Sequence, residues 1–304
     1  MATLVLLLSA CSPRMLIIQG VADELASQGA APEEDLLLAR DAGAFYLKLS
    51  ESLLREQPGN LKLAEAVAGG FTQYAYAFVA FEADRMEAKD SKAAHRLRER
   101  AARLYRRAQR HAMAALEAQS PGIGKALAEM QGAAEPRQDQ GGTQPAAGGP
   151  SDEARPRLRP GQVGVAYWGA AAWGGLISLS KDDPDVVADL PLAIRLAQIA
   201  WETAPEHGEG AVASLMGTFE SARPGGSAPR AAAYFAQAVD AGKSANAGVY
   251  VAMAESIALL ANDRTSFEAL LRQALDIAAK RRDLQNSVMR ERAQWLLDTA
   301  EDRF

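Results

Sequence analysis

Four helical stretches of this 304-residue chain share one spacing: a small residue, a larger one four positions on, and alanine seven positions on. Ala101, Tyr105 and Ala108 fit it, as do Ala231, Phe235 and Ala238. Phe267, Leu271 and Ala274 fit with a large first member, and Ala193, Ala197 and Ala200 with a small middle one. Steps of four and three keep each set on one helical face. Small residues there let a second helix approach closely, so each stretch requires a partner helix. The starts at 193, 231 and 267 are 38 and 36 residues apart. These steps are slightly longer than the roughly 34-residue tetratricopeptide period, and Pro205 stands where such a helix ends. The full tetratricopeptide pattern is absent, which makes the array degenerate. The competing explanation is an alanine-rich helix bundle with chance matches.

The rest of the chain agrees with an all-α fold of degenerate tetratricopeptide-like helix pairs. Both long segments, 32–130 and 161–304, are rich in Ala, Leu, Arg and Glu and lack period-2 runs of Val, Ile and Thr. Pro58-Gly59-Asn60 and Pro205 mark helix ends, Pro229 suits a first turn, and Thr265 with Glu268 reads as a capping box. Between the segments, residues 131–160 are dominated by Gly, Pro, Gln and Ala. So few large apolar side chains cannot repay ordering entropy, so a disordered loop is expected there, dispensable for folding. Asp182, Asp183 and Asp185 precede a helix across Pro184, where carboxylates favour the positive end of the dipole.

One cysteine, Cys11, cannot form an internal disulfide. It follows Leu4 to Leu8 and the small pair Ser9-Ala10, the order of a secretory apolar run and its cleavage site. The run is too short to span a bilayer, for which about 20 apolar residues are needed. Leu8-Ser9-Ala10-Cys11 matches a bacterial lipobox, although no basic stretch precedes the leucines. Residues 1–10 therefore read as a signal peptide, Cys11 as a lipid attachment site, and 11–31 as the anchored segment. A buried cysteine in an apolar first helix is the alternative. Ser12 in place of an aspartate favours the inner leaflet of the outer membrane, facing the periplasm, over retention at the inner membrane. A net charge of -5 speaks against nucleic acid, whose binding requires clustered lysine and arginine.

Phe71, Tyr74, Phe78 and Phe81 fall at helical spacing in GFTQYAYAFVAFEADR. Such a stripe is ordinarily core, but the hydroxyls of Tyr74 and Tyr76 need partners or water and suit the edge of a cleft. Trp168 and Trp173 stand among Gly169, Gly174 and Gly175, where glycine inside a helix signals close packing or room for a ligand. Phe71, Tyr74, Tyr76, Trp168 and Trp173 are accordingly the candidate ligand-lining set. Arg96, Arg100, Arg103, Arg107 and Arg110 share one face of a basic amphipathic helix, either a solvated face or a contact for an acidic partner or anionic lipid. His95, His111 and His207 have no second ligand at metal-site spacing, and there is no HExxH, Walker loop or GxSxG. No catalytic residue, metal or cofactor is expected.

The lipobox, LLREQPGN, GFTQYAYAFV, RAARLYRRA, YWGAAAWGGLISLS with KDDPDVVADLP, and PGGSAPRAAAYFAQAVD resemble, in the same order, the TatT-type lipoproteins, the T components associated with TRAP transporters. The long segment between Met130 and Pro160 departs from that pattern. The resemblance implies a periplasm-facing, lipid-anchored, non-catalytic protein that forms a homotrimer with a central pore. It further implies docking to a TRAP periplasmic solute-binding protein and a cleft for a hydrophobic small ligand. A general helical-repeat scaffold for envelope protein assembly, with no ligand of its own, is the other expectation.

Overall fold

The computed structural model describes residues 33–134 and 156–304, and among them there is no strand. The signal peptide, Cys11, the anchored segment and most of the expected loop lie outside the described residues. Helix α1 spans Leu36–Glu56, α2 Leu61–Ala75, α3 Phe81–Met86, α4 Ser91–Gln119 and α5 Ile123–Ala134. After a 3-10 turn at Pro160–Gln162 come α6 (Val163–Ser178), α7 (Pro184–Val187), α8 (Leu190–Thr203), α9 (His207–Ala222) and α10 (Ala228–Ala241). The chain ends with α11 (Ala247–Met253), α12 (Arg264–Lys280), α13 (Leu284–Asp298) and a last turn at Ala300–Asp302. Two π-helical turns, Tyr76–Ala80 and Ala254–Ala258, extend α2 and α11.

Most of these helices begin at a side chain able to accept from free N–H groups of the first turn. Asp35, Asn60, Asp90, Asp183, Ser227, Asn246, Asp263 and Asp283 do so, each cap contributing about 1 kcal/mol. At α12 the cap is Asp263, whose side chain accepts from Ser266 N–H, and not Thr265. Glu268 instead pairs with Arg264 and Arg272 along the helix.

The helices pack as hairpins: α2 and α3 on α4, α6 on α8, α9 on α10, and α11 on α12. Each second helix also meets the first helix of the next hairpin, α4 on α6, α8 on α9 and α10 on α11, as in an α-helical repeat. The shared spacing falls on the second helices α4, α8, α10 and α12. Every member is 0% exposed except Tyr105 at 5%, so the pattern marks the seam of each hairpin. Two of the large members, Tyr105 and Phe235, have glycine opposite them. A Cβ at Gly175 of α6 would stand 2.8 Å from the Tyr105 ring, and one at Gly217 of α9 would stand 2.8 Å from Phe235.

Both ends of the 131–160 segment are held by the helical array. Its first residues continue α5 to Ala134, and at its far end Leu158 is buried in the main core. Gln162, fully buried, accepts from the Arg159 N–H at 2.9 Å and donates to Ser120 Oγ at 2.9 Å, which satisfies its amide. Arg159 also donates to the Gln119 carbonyl. A polar amide used this way fixes where the chain enters α6.

The first helices touch in succession, α2 to α6 to α9 to α11 to α13, and form a continuous inner layer. That layer closes on itself. Arg292 of α13 donates to Asp84 of α3 and to Glu255 in the second π turn, both at 2.6 Å, and Arg85 pairs with Glu291 at 2.8 Å. The Arg292 guanidinium lies 5.0 Å from the Phe81 ring centre and 4.9 Å from that of Trp295.

Candidate functional site

The inner layer carries an unusual exchange between α2 and α6. Glu65 and Gly69 stand one turn apart on α2, and Gly164 and Trp168 one turn apart on α6. The Glu65 carboxyl lies over Gly164, where a Cβ would come within 2.1 Å of it, and the Trp168 indole lies over Gly69, where a Cβ would come within 2.8 Å. Each large side chain thus occupies the notch left by glycine on the facing helix. Tyr167 packs against Trp168, ring centres 4.7 Å apart, and against His207, 6.3 Å away. His207 Nε2 is 4.0 Å from Glu65, closing the cluster.

Electrostatics show how enclosed this face is. Burial pushes the Tyr167 hydroxyl up to about 12 and holds the Glu65 carboxyl above the usual carboxylate range, against the opposing charge of His207. Tyr76, at the start of the first π turn, is also raised, chiefly by burial, with Arg292 pulling the other way. Tyr76 and Tyr167 nevertheless keep part of their surface accessible, and neither hydroxyl makes a hydrogen bond among the described residues. Both rings are thus half-buried while their hydroxyls stay unpaired among the described residues.

The aromatic residues singled out from sequence separate into different environments. Phe71 is buried under the Arg107 guanidinium, 4.9 Å from its ring centre, and stacks on His111. Tyr74 meets Phe78 edge to face at 5.3 Å and packs beside Gly43 of α1. Trp173 is core, its Nε1 donating to Asp189 at 3.2 Å. Of that set, Tyr76 is turned toward the Arg292 cluster, and Trp168 is seated over Gly69. The π turn redirects the stripe beyond this set: its wider winding rotates the helix after Ala75, and Phe81 faces Trp295 of α13. Glu65, Tyr167, His207 and Arg292 were not picked out from sequence; the only hint was the glycine content of α2 and α6.

On the outside of α4, Arg96, Arg100, Arg103 and Arg110 are exposed and make no ion pair among the described residues. Arg107 is different: it forms a bidentate pair with Glu51 of α1, a carboxylate that also accepts from Lys48 at 2.7 Å and contacts His111 at 2.8 Å. Among the described residues the stripe therefore offers four unpaired guanidiniums, with the fifth holding α1 to α4.

A model of the TRAP transporter T-component family matches residues 32–304. The chain belongs to this family. It is also similar to an uncharacterized protein of Treponema pallidum (strain Nichols), 26% identical over 286 residues that cover 90% of this chain and 81% of that one. Membership makes this T component an accessory part of a TRAP transport system, associated with the cell envelope. Among its described residues no helix is long and apolar enough to cross a membrane.

Proposed function

We propose that this T component is a non-catalytic, periplasm-facing lipoprotein, anchored through Cys11. In this reading it docks a TRAP solute-binding protein and holds a small, largely hydrophobic ligand on its inner layer. The observation that carries the reading is the pair of enclosed but accessible tyrosines, Tyr76 and Tyr167, whose hydroxyls have no partner among the described residues. In a site that serves only packing, such hydroxyls would be paired or turned to open water. The free guanidiniums of Arg96, Arg100, Arg103 and Arg110 suit an acidic partner surface, where charge complementarity raises the association rate. The family resemblance adds a homotrimer to this proposal.

The test uses the Cys11→Ser chain, purified without its anchor and analysed by native mass spectrometry with extraction of bound small molecules. Tyr76→Ala and Trp168→Ala should retain most of the melting temperature while losing co-purified ligand. Arg100→Glu with Arg103→Glu should slow association with the solute-binding protein while changing stability by no more than about 0.5 kcal/mol. Unfolding of both aromatic variants, with ligand content per folded molecule unchanged, would leave a scaffold with no ligand of its own.

A further inference from the structure

The exchange between α2 and α6 joins Glu65, through His207, to the packed pair Tyr167 and Trp168. Glycine within a helix is destabilising, and here Gly69 inside α2 and Gly164 in the first turn of α6 leave the space in which Trp168 and Glu65 sit. Glu65 has no hydrogen-bond partner among the described residues, and the nearest ionisable side chain paired with it is His207, at 4.0 Å. Its side chain keeps 37% of its surface, so an incoming group can reach it. Tyr167 and Trp168 pack at 59° to each other in the same cluster, and both keep part of their surface accessible.

We propose that Glu65, Tyr167 and Trp168 form a recognition site for an organic cation, a protonated amine or quaternary ammonium group carried by the ligand of the inner layer, which competes with His207 for the Glu65 carboxylate. The carboxylate supplies the counter-charge, and the electron-rich faces of tyrosine and tryptophan supply cation–π attraction, which strengthens where water is excluded. A metal ion fits less well: Glu65 and His207 offer two ligands, and no group of three or more His, Cys, Asp or Glu among the described residues could hold one. This inference rests on the ligand-holding reading above and narrows it to a charge class.

The probes are benzyltrimethylammonium and the neutral phenethyl alcohol, titrated calorimetrically into the Cys11→Ser chain. The wild-type sequence should bind the cation roughly tenfold or more tightly than the alcohol, the range expected of one ion pair with cation–π contact. Glu65→Gln keeps the shape and should abolish that preference while leaving alcohol affinity unchanged. Gly164→Ala keeps every charge but displaces the carboxyl group, and should lose the preference with an unchanged or higher melting temperature. A wild-type chain that binds both probes equally retains a ligand site and overturns the cation assignment alone. A preference that survives Glu65→Gln, or binding of neither probe, also overturns it.

Discussion

Replacing Glu51 with glutamine should destabilise the fold strongly at neutral pH and far less in acid. The Glu51 side chain is 5% exposed and accepts from Arg107, Lys48 and His111. Burial alone would raise its pKa, but these hydrogen bonds and the charge of Arg107 outweigh it and bring the carboxyl to about 2, from an ordinary 4.5. A depression of that size corresponds to about 3 kcal/mol of stability in the ionised form. Because the folded value lies below the unfolded one, the contribution is complete above about pH 5 and fades as pH falls toward 2. Near pH 3 about 1 kcal/mol of it should remain. Chemical denaturation of the wild-type chain and Glu51→Gln at about pH 7 and about pH 3 checks this, and comparing the two chains cancels every other titrating group. Equal stability at neutral pH, or a gap that acid leaves unchanged, would refute the claim that Glu51 holds α1 to α4 as an ionised hub.

Gly210 has φ of +84°, and a Cβ there would stand 2.5 Å from the Ala238 carbonyl oxygen, a backbone atom with little freedom to retreat. Gly210→Ala should therefore lose about 2–4 kcal/mol in denaturant unfolding. Leu158→Ala should lose about 2–5 kcal/mol in the same assay, because this residue is 7% exposed within the main core although it falls in a Gly/Pro-rich stretch.

The second helices were legible in the sequence because a hairpin seam imposes a local, periodic demand. Ala231, Phe235 and Ala238 must share a face whatever lies opposite them, and that demand shows as spacing. The inner layer makes no comparable local demand. Glu65 matters because Gly164 faces it, nearly a hundred positions later, and nothing in either helix alone says which glycine admits which side chain. The π turns were hidden for another reason. YAFVA reads as ordinary helix, and the wider winding at Tyr76–Ala80 is set by packing, so an aromatic stripe projected at a constant angle broke where the winding changed. Arg107 likewise looked like its neighbours in the stripe until Glu51, 56 positions earlier, was placed beside it.

Arg292 changes how such an array can come apart. In an open solenoid each repeat touches only its neighbours, so stability is nearly a sum of local terms and unravelling starts at whichever end is weaker. Here α13 is fastened to α3, 208 positions away, and to the second π turn, 37 positions away. The terminal hairpins therefore act as each other's cap, and neither can fray without uncovering the other. Fraying from one end gives way to a single cooperative transition, in which the first and last hairpins come apart together.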